Sequence, residues 1–181
     1  MRIVTTREAS ELTGLSTNKL REWTSRRALI PADVPPKSQG SPAKYAWQTI
    51  LLLRIAVTLR DHFHLELQAH RHVFASLRHG LHGASFIALW GKTLAIHADH
   101  SWTWIDDREV GPLAGDAILI RLTPHLDILS QGFALPRPTM SPGQLDLFPA
   151  QAVIETPLSA QASAPPALPV SRPADRRRRS A

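Results

Sequence analysis

With 181 residues the chain has room for one or two small domains with a real core. Its 43% hydrophobic content demands a folded part and its 15 prolines an unfolded one, while the lack of cysteine excludes disulfides, thiolate metal sites and cysteine nucleophiles. The net charge of +6 is uneven: residues 1–80 carry twelve Lys/Arg against six Asp/Glu, residues 81–135 three against six, and residues 136–181 six against three. A basic N-terminal module beside an acidic middle suits a phosphate-binding head joined to a second part of other chemistry.

In chain order, Ile3-Val4 reads as a short strand. Thr5, with Glu8 three residues on, forms a capping box that starts a helix through Ala9 and Leu12 to Gly14. Ser16 offers a new N-cap, and a second helix is predicted over residues 17–26. Two short helices joined by Gly14-Leu15-Ser16 predict a helix-turn-helix with a small core of Ala9, Leu12, Leu15, Leu20 and Trp23. Thr17, Asn18, Lys19 and Arg21 lie on other faces of the second helix, toward its N-terminus. Amide, hydroxyl and basic groups there suit contacts with base edges and phosphates in a major groove. The bland alternative, for any one of them, is a solvated polar face.

The strings Thr5-Thr6-Arg7-Glu8-Ala9, Gly14-Leu15-Ser16, Leu20-Arg21-Glu22-Trp23 and Arg27-Ala28-Leu29-Ile30-Pro31 together resemble the helix-turn-helix of the bacterial MerR family. The resemblance continues through a wing that ends in a basic residue and tyrosine, here Lys44-Tyr45, and a third helix from Gln48 to Arg60. It covers roughly residues 2–80. It implies a recognition helix in the major groove, a wing on the backbone, and DNA contacts by Thr17, Asn18, Lys19, Arg21, Lys44 and Tyr45. The chain departs from the family pattern in two places. The segment 32–43 is long and proline-rich, and the helix predicted over residues 65–77 meets Gly80 and Gly83 without the heptad run that a long dimerisation helix needs.

Six of the nine histidines fall between His62 and His82. His62-x-His64 and His79-x-x-His82 have the look of metal pairs, but Asp61 and Glu66 complete no recognisable ligand set, so polar-face histidines are expected and no metal or cofactor. From Ser85 the period becomes alternating. Phe86 to Trp90, a Gly91-Lys92 turn and Thr93 to Ile96 predict a hairpin. Trp102 to Ile105 and Ala117 to Ile120 predict further strands, and Thr123-Pro124 a capped helix to about Ser130. Three tryptophans in this unit are expected to fill its core, with a ligand pocket or a dimer face as alternatives. Nothing in it resembles a catalytic constellation, so no enzyme is expected.

Beyond Leu135 the Pro/Ala/Ser composition buries too little surface to offset its ordering entropy, which predicts disorder. Within it, Gln144-Leu145-Asp146-Leu147-Phe148 is similar to the linear motif by which bacterial replication and repair proteins bind the sliding clamp. The run from Arg176 to Arg179 adds phosphate affinity or is a solvated end. The expected fold class is therefore α+β: a winged helix-turn-helix over 1–82, a small hairpin-containing α+β domain over 83–135 that dimerises or senses, and a disordered tail over 136–181. Expected partners are double-stranded DNA, a second copy of the chain, and the clamp or another protein through the tail. No N-terminal stretch resembles a signal peptide, and the densest apolar run, 50–59, is broken by Arg54 and too short for a bilayer. A cytoplasmic, nucleoid-associated location follows as the expectation.

Overall fold

A capping box opens the first helix: the Thr5 side chain accepts from the Glu8 amide while Glu8 Oε2 accepts from the Thr5 amide at 2.7 Å. The computed structural model describes residues 2–38, 41–108 and 115–138. These residues belong to one compact unit. Strand β1 (Val4–Thr5) leads directly into α1 (Thr6–Thr13), which ends on Gly14 at φ 73°, a left-handed position that a side chain would strain. Helix α2 (Thr17–Arg21) follows and continues into a π turn over Glu22–Arg26. A short strand β2 (Lys44–Tyr45) pairs antiparallel with β1, Val4 opposite Tyr45.

Helix α3 (Trp47–Phe63) is the centre of the molecule. Ile50, Leu51, Leu52, Leu53, Ile55 and Ala56 are all fully buried, so the helix is apolar nearly all round and must be enclosed by other elements. It packs against α1, α4 (Arg71–His82, preceded by a 3₁₀ turn at Leu67–His70) and α5 (Thr123–Phe133). Helix α4 does not stop at Gly80, as the glycine suggested. It runs to His82, and Gly80 is needed for closeness rather than for a turn. A Cβ there would come within 2.4 Å of the Trp102 ring.

A three-stranded antiparallel sheet completes the fold, in the order β4–β3–β5, with β3 (Lys92–His97) between β4 (Trp102–Asp106) and β5 (Ala117–Arg121). Leu94 and Ile96 share the inner face with Trp104 and Trp102 on one side and Ile120 and Ile118 on the other. That face meets α4, where Trp102 Nε1 donates to Ser76 Oγ at 3.0 Å. One hydrophobic core runs from Val4 through α3 to Phe133, so residues on both sides of position 82 contribute to it. The chain is α+β.

Two sequence expectations are corrected here. Phe86 to Trp90 form no strand: a 3₁₀ turn occupies Ile87–Leu89, burying Phe86 and Leu89, with Phe86 edge-on to Trp47 at 5.2 Å. The apolar spacing of three and four residues there is helical and serves α3. The hairpin partner of β3 is β4, reached through a turn in which Asp99 Oδ1 accepts from the Ser101 amide at 2.9 Å. Thr123 does not cap α5 either. The cap position is Leu122, Thr123 Oγ1 accepts from the Gly91 amide at 3.4 Å, and the helix extends to Phe133.

Arg54 is the one charged residue inside the apolar run, and its guanidinium donates to the Leu12 carbonyl at the end of α1. Burial, and then the Arg54 charge, push His125 of α5 down to about 4. A histidine depressed in the fold stabilises it fully above its ordinary value of 6.5, and that contribution is lost as pH falls from 6.5 toward 4. The loss is at most about 3 kcal/mol. His70 is lowered too, chiefly by burial, and acts in the same direction. Urea unfolding at pH 6.5 and pH 5, above the range where the lowered carboxylates titrate, should show a falling midpoint. His125→Gln should reduce that fall. An equal fall in the variant would remove His125 as its source.

Candidate nucleic-acid interface

The turn between α1 and α2 satisfies its own polar groups. Thr13 Oγ1 donates to the Ala9 carbonyl at 2.7 Å, the Leu15 amide donates to Thr13 Oγ1 at 3.3 Å, and Ser16 Oγ accepts from the Lys19 amide at 3.2 Å. Leu15, Leu20 and Trp23 are buried beneath, which orients the second helix with residues 17, 18 and 21 outward. Arg60 of α3 lies over the Trp23 ring at 5.0 Å and pairs with Asp61, tying the π turn that follows α2 to the central helix.

The segment after α2 is held at both ends. Arg78 of α4 donates to the Pro31 carbonyl and to Asp33 Oδ1 at 3.1 Å, while Asp33 Oδ2 accepts from the Ala46 amide at 2.7 Å. Val34 and Lys44 exchange backbone hydrogen bonds at 3.0 and 3.1 Å, so Lys44 bridges β1 on one side and Val34 on the other. Residues 39 and 40 lie outside the described part of this loop.

Between α2 with its π turn and this loop lies a cleft of about 650 Å³. Asn18, Arg21, Ser25 and Arg26 form one wall; Pro36, Ser38, Ser41 and Pro42 form the other, above Thr6. None of its described lining residues is acidic. Arg21 and Arg26 are exposed and make no ion pair among the described residues. Lys19 is different. Its ammonium sits 3.0 Å from Glu22, which also holds Arg27 at 2.7 Å. The Lys19 hydrogen bond, helped by the Arg27 charge, keeps the Glu22 carboxyl below the usual range, so Glu22 offsets part of this local positive charge at neutral pH.

Of the six residues singled out from the sequence, Asn18, Arg21 and Tyr45 line the cleft; Thr17 and Lys44 are exposed beside it, and Lys19 is engaged by Glu22. Tyr45 is corrected as a contact. It has no exposed surface, and its hydroxyl lies 3.3 Å from Thr24 Oγ1. A fully buried ring offers nothing to a phosphate, and its place is structural. Arg26 was missed. Around an α-helix it would lie about 140° from Arg21. The π turn closes instead through the Arg27 amide and the Glu22 carbonyl at 2.8 Å, five residues apart, and a wider turn carries residue 26 back toward residue 21. No pattern of side chains marked that widening; the only signal was a second arginine five residues on.

Among the described residues no group of His, Asp and Glu is placed to hold a metal ion, and no helix is long and apolar enough to cross a membrane. The Gln144 to Phe148 motif and the Arg176 to Arg179 run lie outside the described residues. No protein-family model matches the chain, and no curated protein matches its sequence.

Tyr45→Phe should lower the unfolding free energy by about 1 kcal/mol by deleting the Thr24 hydrogen bond. Arg21→Ala, at an exposed position, should leave it within about 0.5 kcal/mol. Urea titration of both variants checks the division between core and surface. The reverse order of effects would contradict it.

Proposed function

We propose that the chain is a sequence-specific DNA-binding transcriptional regulator, with residues 1–82 acting as a MerR-like winged helix-turn-helix. The observation that carries this reading is the cleft walled by Asn18, Arg21, Ser25 and Arg26 on one side and the proline-rich loop on the other, with no acidic group among its described lining residues. Its two guanidinium groups, without an ion pair among the described residues, suit a strand of phosphates, which planar, forked donors grip in two places at once. Thr17 and Asn18, exposed at the start of α2, are the groups that reach base edges, and Lys44 meets the backbone beside the loop. Lys19 joins only by giving up Glu22. The MerR dimer geometry does not form part of the proposal, because α4 is 12 residues long and the chain turns into the sheet soon after Gly83.

On a duplex selected from random sequence, Arg21→Ala and Arg26→Ala should each weaken binding by about 1–3 kcal/mol and lower the slope of log K against log salt by about 1 for each phosphate left without its arginine. Lys19→Ala should cost less than either. A double Arg21→Ala, Arg26→Ala variant that melts like the parent and binds with unchanged affinity sinks the reading.

A second reading, from sequence alone, makes the chain a DNA-bound adaptor that recruits the sliding clamp. Gln144, Leu145, Asp146, Leu147 and Phe148 carry it: leucine and phenylalanine fill an apolar groove and the glutamine hydrogen-bonds at its entrance. Deleting residues 136–181 should leave duplex affinity nearly intact and abolish clamp capture. A peptide of residues 143–149 that fails to bind purified clamp ends the adaptor reading.

A further inference from the structure

The described residues enclose a second hollow, of about 300 Å³, that shares no lining residue with the cleft beside α2. It lies where the C-terminal end of α3, the N-terminal end of α4 and the Ile96 and Ile118 end of the sheet come together. Its wall is apolar: Leu59 from α3, Val73 and Phe74 from α4, Ile96 from β3 and Ile118 from β5. Two small residues, Ala98 and Ala117, stand where larger side chains would have closed it. Interiors of this kind are otherwise packed to crystal density. An apolar cavity of roughly 150 Å³ takes up benzene, and ligand pockets begin at about 300 Å³.

The few polar groups in the lining define what the head of an occupant can be. Asp116 presents a carboxylate, and His70 and His100 present imidazoles whose ring centres are 5.0 Å apart, with His72 a further 4.9 Å from His100. His97 is already engaged, its Nε2 lying 3.0 Å from Thr103 Oγ1. Burial, and then the charges of His100 and His72, hold His70 below its ordinary value, which leaves a neutral ring with one donor and one acceptor. An anionic head would face the Asp116 carboxylate at the solvent-exposed mouth. A cationic head would gain little from Asp116, which is exposed and screened by solvent, and would give up hydration beside an apolar wall. A neutral donor such as a hydroxyl or N–H meets neither objection and finds an acceptor in Asp116 or His70.

We propose that this cavity is a binding site for a small uncharged molecule with an apolar body about twice the size of benzene and one hydroxyl or N–H head, the chemistry of naphthols and indoles. The body packs on Val73, Phe74, Ile96 and Ile118, and the head donates to Asp116 or His70. The site stands independently of the DNA-binding reading, because its occupant can be titrated into the protein with no DNA present.

The test is titration of the full chain with 2-naphthol, naphthalene and 2-naphthoate, followed by probe fluorescence and by the melting temperature. The expected result is saturable one-site binding of 2-naphthol that raises the melting temperature, with 2-naphthoate at least tenfold weaker. Asp116→Asn should weaken 2-naphthol several-fold and leave naphthalene unchanged, a difference that a merely structural role for Asp116 would not produce. Ile118→Trp fills the cavity from the sheet side and should abolish binding. Should that variant fail to fold, Ala98→Trp, at an exposed position on the rim, blocks the same space and should have the same effect. Failure of the full chain to bind 2-naphthol up to its solubility limit overturns the proposal. So does binding that survives Ala98→Trp, or 2-naphthoate binding as tightly as 2-naphthol.

Discussion

Helix α3 has leucine or isoleucine at positions 50–53 and again at 55, a density that no one-sided stripe can hold, and every one of these side chains is removed from water. At about 25 cal/mol per Å² of apolar surface, leaving any face of this helix open would forfeit a large share of the molecule's stability. The remaining elements are therefore arranged as a sheath. The N-terminal helices cover one side, α4 and α5 cover others, and the inner face of the sheet closes on α4. The single interruption, Arg54, is made tolerable by the carbonyl it meets at the end of α1, and its charge adds to the burial that depresses His125 nearby.

This central burial positions the candidate interface. The second helix rests on α3 through Leu20, Trp23 and the Arg60 stack, and the loop beside it is anchored by Arg78 from α4 through Asp33. Tyr45, removed from the surface contacts, is the piece that joins β2 to the π turn through Thr24. The charges left outside are thus sorted by the fold. Glu22 engages Lys19 and Arg27, whereas Arg21 and Arg26 face the cleft. Among the described residues Arg21 and Arg26 carry no ion pair, so an anion reaching them would break no existing contact, whereas one reaching Lys19 or Arg27 would displace Glu22.

The α+β class, the two short helices and the strands β4 and β5 were legible in the sequence, as were Asn18 and Arg21 in the candidate site. Arg26, the hairpin partner of β3 and the cavity beneath His70 were not. These differences have a common form. The apolar run from Phe86 to Trp90 reads as a strand because a glycine turn follows it, yet Phe86, Leu89 and Trp90 have helical spacing, and Phe86 packs on Trp47, about forty residues earlier in the chain. The basic-aromatic pair Lys44-Tyr45 has the look of a surface pair, although the two side chains point to opposite sides of β2, one exposed and one buried.

What the sequence determined by itself is whatever is settled within about five residues. The capping box of Thr5 and Glu8, the left-handed turn at Gly14 and the Ser16 cap each close a hydrogen bond over a short span, so the residues involved are enough to define them. The tertiary structure alone decided which apolar surfaces meet. It determined that β3 pairs with β4 and β5, that Gly80 lies under Trp102, that Tyr45 turns inward, and that Arg26 rejoins Arg21 across a widened turn. Those outcomes depend on packing around α3 and between segments distant in the chain. Hydrophobic burial has no direction of its own, so a local pattern of residues does not specify the partner that provides it.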